Sequence, residues 1–153
     1  MNDLPSSDVP ADASKFDVSK LVLKLSATLS ADRTAVDPVV RSIMDVIRNA
    51  QWAPGREDDI ELALSEALAN AVVHGAKNDP LKIVECDVAC NPDGGILIVV
   101  RDPGPGFDPT KVSNPCAGDN IYSDHGRGIF LINKLMDEVR FHKNGTEIHM
   151  IKR

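Results

Sequence analysis

Two apolar stretches, residues 81–90 and 95–101, flank the tetrapeptide Asn91-Pro92-Asp93-Gly94. Both are rich in Ile, Val and Leu, and the residues between them favour tight turns, so the segment predicts two antiparallel strands joined by a short connection. Residues 20–28 alternate Leu21, Leu23 and Leu25 with Lys20, Lys24 and Ser26, interrupted by Val22, and predict a half-buried strand. A last hairpin is expected from residues 139–142 and 147–151 around Asn144-Gly145.

Helical periodicity fills the intervals. Val39, Ile43, Val46 and Ile47 mark a first helix that ends before Pro54-Gly55. Asp37 before Pro38 resembles a cap with proline at the first helical position, and a start near Asp32 is equally compatible. A second helix, 57–74, opens on Glu57, Asp58 and Asp59, where the helix dipole favours negative charge, and closes at Gly75. Ile129, Ile132, Leu135 and Met136 mark a third over 126–139. Residues 108–125 hold prolines, Gly118 and many polar groups without periodicity, and read as a long lid loop. The expected fold is α+β: a two-layer α/β sandwich with a mixed, mostly antiparallel sheet and about three helices on one face. Residues 1–18, with Pro5, Pro10, serines and aspartates, read as a disordered tail, leaving 19–153 as one domain.

Composition narrows the function classes. A net charge of -6 repels nucleic acid phosphates, and aromatic residues for base stacking make up only 4%. The longest apolar run, Ile96 to Val100, is far below the ~20 residues of a membrane span. Cys86 and Cys90, four apart in a strand, have Cα atoms ~13 Å apart, where a disulfide needs less than ~7 Å. With Cys116 they read as buried small hydrophobes in a reducing compartment, the cytoplasm.

Three clusters carry possible chemistry. Glu66, Asn70 and His74 stand at i, i+4 and i+8, within an arc of ~80° on one helix face, among Leu62, Ala63, Leu64, Ala67, Leu68, Ala71 and Val73. A carboxylate and an amide in such surroundings need partners, which neighbouring backbone could equally supply. His74 beside a C-terminal glycine is also explained by capping. Asp102-Pro103-Gly104-Pro105-Gly106-Phe107 follows an apolar strand directly. Its prolines stiffen the loop, its glycines admit a planar ligand to the backbone, and Asp102 could accept from an exocyclic amine; an ordinary tight turn would look the same. Gly126-Arg127-Gly128-Ile129 opens the third helix, where exposed N–H groups and the dipole favour phosphate, with Arg127 either a helper or a surface cation.

In this order the three clusters resemble the N, G1 and G2 boxes of the GHKL ATPase superfamily, built on the Bergerat ATP-binding fold. The run from Gly128 to Val139 and the short lid look like the anti-sigma factor serine/threonine kinase subgroup, over residues 20–152. The resemblance implies roles residue by residue. Asn70 would ligate Mg²⁺ and Asp102 would bind the adenine amino group. Gly104, Gly106 and Phe107 would wrap the base, while Gly126, Arg127, Gly128 and Ile129 would form the phosphate turn. Glu66 would be the general base. The lid departs from the longer, glycine-marked lids of chaperones and gyrases, which leaves the γ-phosphate contacts open.

A sensor histidine kinase needs a phosphoacceptor histidine on a helical hairpin ahead of this domain. Fewer than twenty residues precede the first strand and none is histidine, so action on a partner in trans is expected. The resemblance then implies an ATP-dependent serine/threonine kinase that phosphorylates an anti-anti-sigma (antagonist) protein and binds a sigma factor, as a homodimer. The alternative is a nucleotide-dependent binding switch without phosphoryl transfer, and Glu66 discriminates the two, since a switch needs no base.

Overall fold

The structure is a computed structural model that describes residues 23–106 and 124–153. The tail expected over 1–18, Cys116 and Phe107 lie outside these residues, as does the lid apart from its last two positions. The elements in chain order are β1 (Leu23–Ser30), α1 (Arg33–Asn49), α2 (Glu57–Asn70), β2 (Ile83–Cys90), β3 (Ile96–Arg101), α3 (Asp124–Leu135), β4 (Glu138–His142) and β5 (Glu147–Lys152).

The five strands form one sheet in the order β1-β2-β3-β5-β4, and each ladder is antiparallel, more uniform than the mixed sheet expected. The central hairpin turns on Asn91, whose Oδ1 accepts from Asp93 N (3.1 Å) and Gly95 N (2.8 Å). Gly94 there takes φ +87°, a conformation glycine adopts without cost. The register aligns Cys86 with Val100 and Val100 with Ile148, then Val88 with Ile98 and Ile98 with Met150. These rows share one face, and residues from all three helices join them in a single core: Val36, Ile43 and Met44 from α1, Leu64 and Leu68 from α2, Ile132 from α3. β3 is buried at every position from Ile96 to Val100, on both faces.

Each of the three helices departs from its expected bounds. α1 starts at Arg33, because the Asp32 carboxylate accepts from Thr34 N and Thr34 Oγ1, both at 2.9 Å, and caps the helix five residues before Asp37. Pro38 therefore lies inside α1 rather than at its first position. α2 runs into a single π-turn, Ala71–Gly75, in which Ala76 N donates to Ala71 O at 2.8 Å. α3 spans Asp124–Leu135 instead of 126–139, since Asp137 N already donates to Ile151 O and Lys152 Nζ donates to the Leu135 carbonyl at 2.6 Å.

On the sheet face away from the helices, the Arg101 guanidinium meets Asp87, and its Nε lies 3.3 Å from Glu147. Glu147 also accepts from His149 Nε2 at 2.6 Å, and both residues are 2% exposed. Burial holds the His149 imidazole below its usual value, although Glu147 pulls the other way. Cys86 and Cys90 are free and buried, and burial pushes the Cys86 thiol up to about 12.

The depressed His149 pKa has a consequence for stability. Below the unfolded value of 6.5, the unfolded chain takes up a proton that the folded chain refuses. Stability is therefore full above that pH and falls as pH drops through it. Urea unfolding between pH 7.5 and 5.5 should show a falling midpoint for the wild type and a flatter dependence for His149→Leu. An equally steep fall in the variant would place the proton uptake elsewhere.

Candidate functional site

α2 and α3 meet at Gly128. A Cβ built there would stand 2.9 Å from Asn70 Nδ2, 3.2 Å from Asn70 Oδ1 and 3.1 Å from Glu66 Oε2. The α2 positions on either side, Ala63, Leu64, Ala67 and Leu68, are buried in the core, and this fixes the direction in which Glu66 and Asn70 project. Helix periodicity thus brings the two polar groups together, and the glycine lets α3 approach them. Because α3 begins at Asp124, Gly128 lies beyond its first turn and its N–H falls within the helical ladder. Gly128 thus acts through its missing side chain rather than as a free donor, while Gly126 stays in the first turn.

Asp102 stands at the end of β3. Its N–H donates to Thr146 O at 2.9 Å, and its carboxylate accepts from Gly104 N at 2.8 Å. Burial raises the Asp102 pKa, and the Gly104 hydrogen bond offsets part of that rise. The π-turn ends at Gly75, directly over this carboxylate, and a Cβ on Gly104 would overlap the Gly75 carbonyl oxygen. The bare backbone of Gly104 is therefore used by the chain itself, which locks the loop after β3 onto the end of α2. Gly106, at φ +83°, approaches the Asn144 carbonyl in the same way.

These contacts enclose a small cavity of about 60 Å³ with an apolar lining that includes Val100, Ile129, Ile132 and Ile148, with Asp102 its one carboxylate among the described residues. Asn70 and His74 also line a wider groove of about 350 Å³, together with Glu66, Gly128, Arg127 and Arg33. An apolar slot with a carboxylate in its wall, sharing an amide with a polar groove, suits a ligand with an apolar head and a charged tail. Among the described residues no group of three His, Cys, Asp or Glu side chains could hold a metal ion. Asn70 Oδ1 and Glu66 Oε2 flank the Gly128 position, and so few protein oxygens suit Mg²⁺, which takes most of its ligands from phosphates and water.

The structure thus brings Glu66, Asn70, Asp102, Gly106, Arg127, Gly128 and Ile129 to two adjoining depressions, with Gly104 in the wall and Gly126 in the first turn of α3. Thr146 and Arg33 are among the lining residues that the sequence reading did not assign. Thr146 is placed by the β3–β5 register, which aligns Arg101 with Glu147 across 46 positions of chain and has no local signature. Arg33 is placed by the Asp32 cap, a signal that the sequence contains.

The profile of a family described as a histidine kinase-like ATPase domain matches residues 29–152. The serine-protein kinase RsbW of Staphylococcus epidermidis is 41% identical over 106 residues, a region covering 62% of this chain and 66% of that protein. RsbW of Staphylococcus aureus strain MSSA476 is 37% identical over 103 residues, covering 62% and 64%. The chain thus spans just under two thirds of the length of these relatives.

The Gly104–Gly75 contact can be tested without any ligand. Gly104→Ala should lower the urea midpoint by the equivalent of about 1–3 kcal/mol, because the methyl group meets backbone that cannot rotate away. An unchanged midpoint would mean that the loop does not rest on α2.

Proposed function

Because the chain belongs to the histidine kinase-like ATPase domain family, we propose that it binds Mg²⁺-ATP and transfers the terminal phosphoryl group to a serine or threonine of an antagonist protein. In this reading it is an anti-sigma factor that also holds a sigma factor, acts as a homodimer and works in the cytoplasm. The observation that carries the proposal is the placement of Glu66 and Asn70 against Gly128, where the apolar slot opens into the polar groove. The names of the Staphylococcus relatives, serine-protein kinases, support the reaction class.

In this arrangement Asp102 accepts from the adenine amino group, and Ile129 and Ile132 contact the base. Gly104 and Gly106 shape the loop around it, with Phe107 following in sequence, and Arg127 and the Gly126 backbone face the phosphates. Asn70 supplies a protein oxygen to Mg²⁺, which when bound neutralises charge on the phosphate oxygens. Glu66 takes the proton of the acceptor hydroxyl as that oxygen bonds to the γ-phosphorus and the bond to the β–γ bridging oxygen breaks, leaving ADP. The base has a reason to be here, since a switch that only binds nucleotide gains nothing from a carboxylate beside the phosphates.

A positioned general base contributes ~10²- to 10⁴-fold, so Glu66→Gln should slow single-turnover transfer by that order and leave ATP affinity nearly unchanged. Transfer at the wild-type rate would remove Glu66 from the chemistry. A wild type that binds ATP and transfers nothing to any antagonist protein would favour the binding switch instead.

A further inference from the structure

β1 and β3 are each antiparallel to β2, so their C-terminal ends lie at the same edge of the sheet. One strand separates them, about 10 Å at ordinary interstrand spacing. Asp102 follows the end of β3, and Arg33 opens α1 three residues after the end of β1. The two depressions supply the order: Asp102 lines only the slot, Arg33 and Glu66 line only the groove, and Asn70 and His74 line both. A ligand with its base against Asp102 and its chain running past Asn70 therefore ends in the groove that Arg33 lines.

The groove also reverses the charge of the protein around it. The chain carries a net charge of -6, yet among the described residues the charged ones lining the groove are Arg33, Arg127 and Glu66, two cations to one anion. The Asp32 cap fixes Arg33 as the first residue of α1, and from there it lines the groove. Arg127 stands on α3 itself.

We propose that Arg33 is the cation that binds the terminal phosphoryl group, completing from α1 a phosphate site whose other members come from α2 and α3. The proposal rests on the nucleotide reading given above but not on catalysis. Its signature is nucleotide selectivity, because a contact to the third phosphate exists with ATP and is lost with ADP. A planar guanidinium can grip phosphate oxygens with two parallel hydrogen bonds, and a lysine keeps the charge without the fork.

Calorimetric titration of the full chain with ATP and with ADP, both in Mg²⁺, tests it for wild type, Arg33→Ala and Arg33→Lys. Arg33→Ala should weaken ATP binding about tenfold and ADP binding less than about twofold, with Arg33→Lys between wild type and Arg33→Ala. Arg33 is exposed, so thermal unfolding should stay at the wild-type temperature and exclude a folding defect. Equal weakening of ATP and ADP, or no change in either, would overturn the assignment. A wild type that binds ATP yet transfers no phosphoryl group would sink the kinase reading and leave this comparison intact. A wild type that binds neither nucleotide would overturn both.

Discussion

Glu66 and Asn70 share one helix face by their spacing of four, and Gly128 on α3 sits so close that a Cβ there would crowd the tips of both side chains. The packing of α3 on α2 is what puts Ile129 and Ile132 in the wall of the slot and Arg127 in the groove. The same contact explains how a helix otherwise packed into the core can carry a carboxylate and an amide: Glu66 and Asn70 face the junction of two depressions, where polar groups remain half-exposed. Burial of Leu64 and Leu68 on the opposite side fixes the rotation of α2 and so the aim of both groups.

A second closure holds the other wall. Asp102 is tied to Thr146 through the β3–β5 register and to Gly104 through its own carboxylate, while Gly75 and Gly104 let the end of α2 rest on the loop. The π-turn between Ala71 and Gly75 delivers the backbone to that point. Glycines that read as openings for a ligand thus serve first to bring protein backbone together, and the ligand-facing surface that remains is Asp102 with apolar side chains around it. Burial raises the pKa of the acid in this position and makes an incoming donor a favourable partner for it.

The sheet, the helices and most of the site were legible because each follows from a short-range pattern. Alternation and the Asn91–Gly94 turn gave the central hairpin, and spacing by four put Glu66 and Asn70 on one face. What stayed hidden depends on distant partners or on backbone geometry alone. The insertion of β5 between β3 and β4 brings Thr146 to Asp102, and no local pattern marks which strand of the last hairpin docks on β3. The π-turn has no sequence signature, since it is one hydrogen bond made five residues back rather than four. Asp32 and Asp37 compete as caps in the sequence, and the three-dimensional path decided between them once β1 ran on to Ser30. Arg33 escaped notice for the same reason, because it becomes a groove residue only when Asp32 is the cap.

The proposed nucleotide site centres on Asn70 of α2, which would meet the nucleotide-bound Mg²⁺. Calorimetric titration of wild type and Asn70→Ala with ATP, each with and without Mg²⁺, addresses that claim most directly. Mg²⁺ should strengthen ATP binding to the wild type, and Asn70→Ala in Mg²⁺ should bind no better than the wild type without it. A variant whose ATP affinity depends on Mg²⁺ as strongly as the wild type's would contradict it.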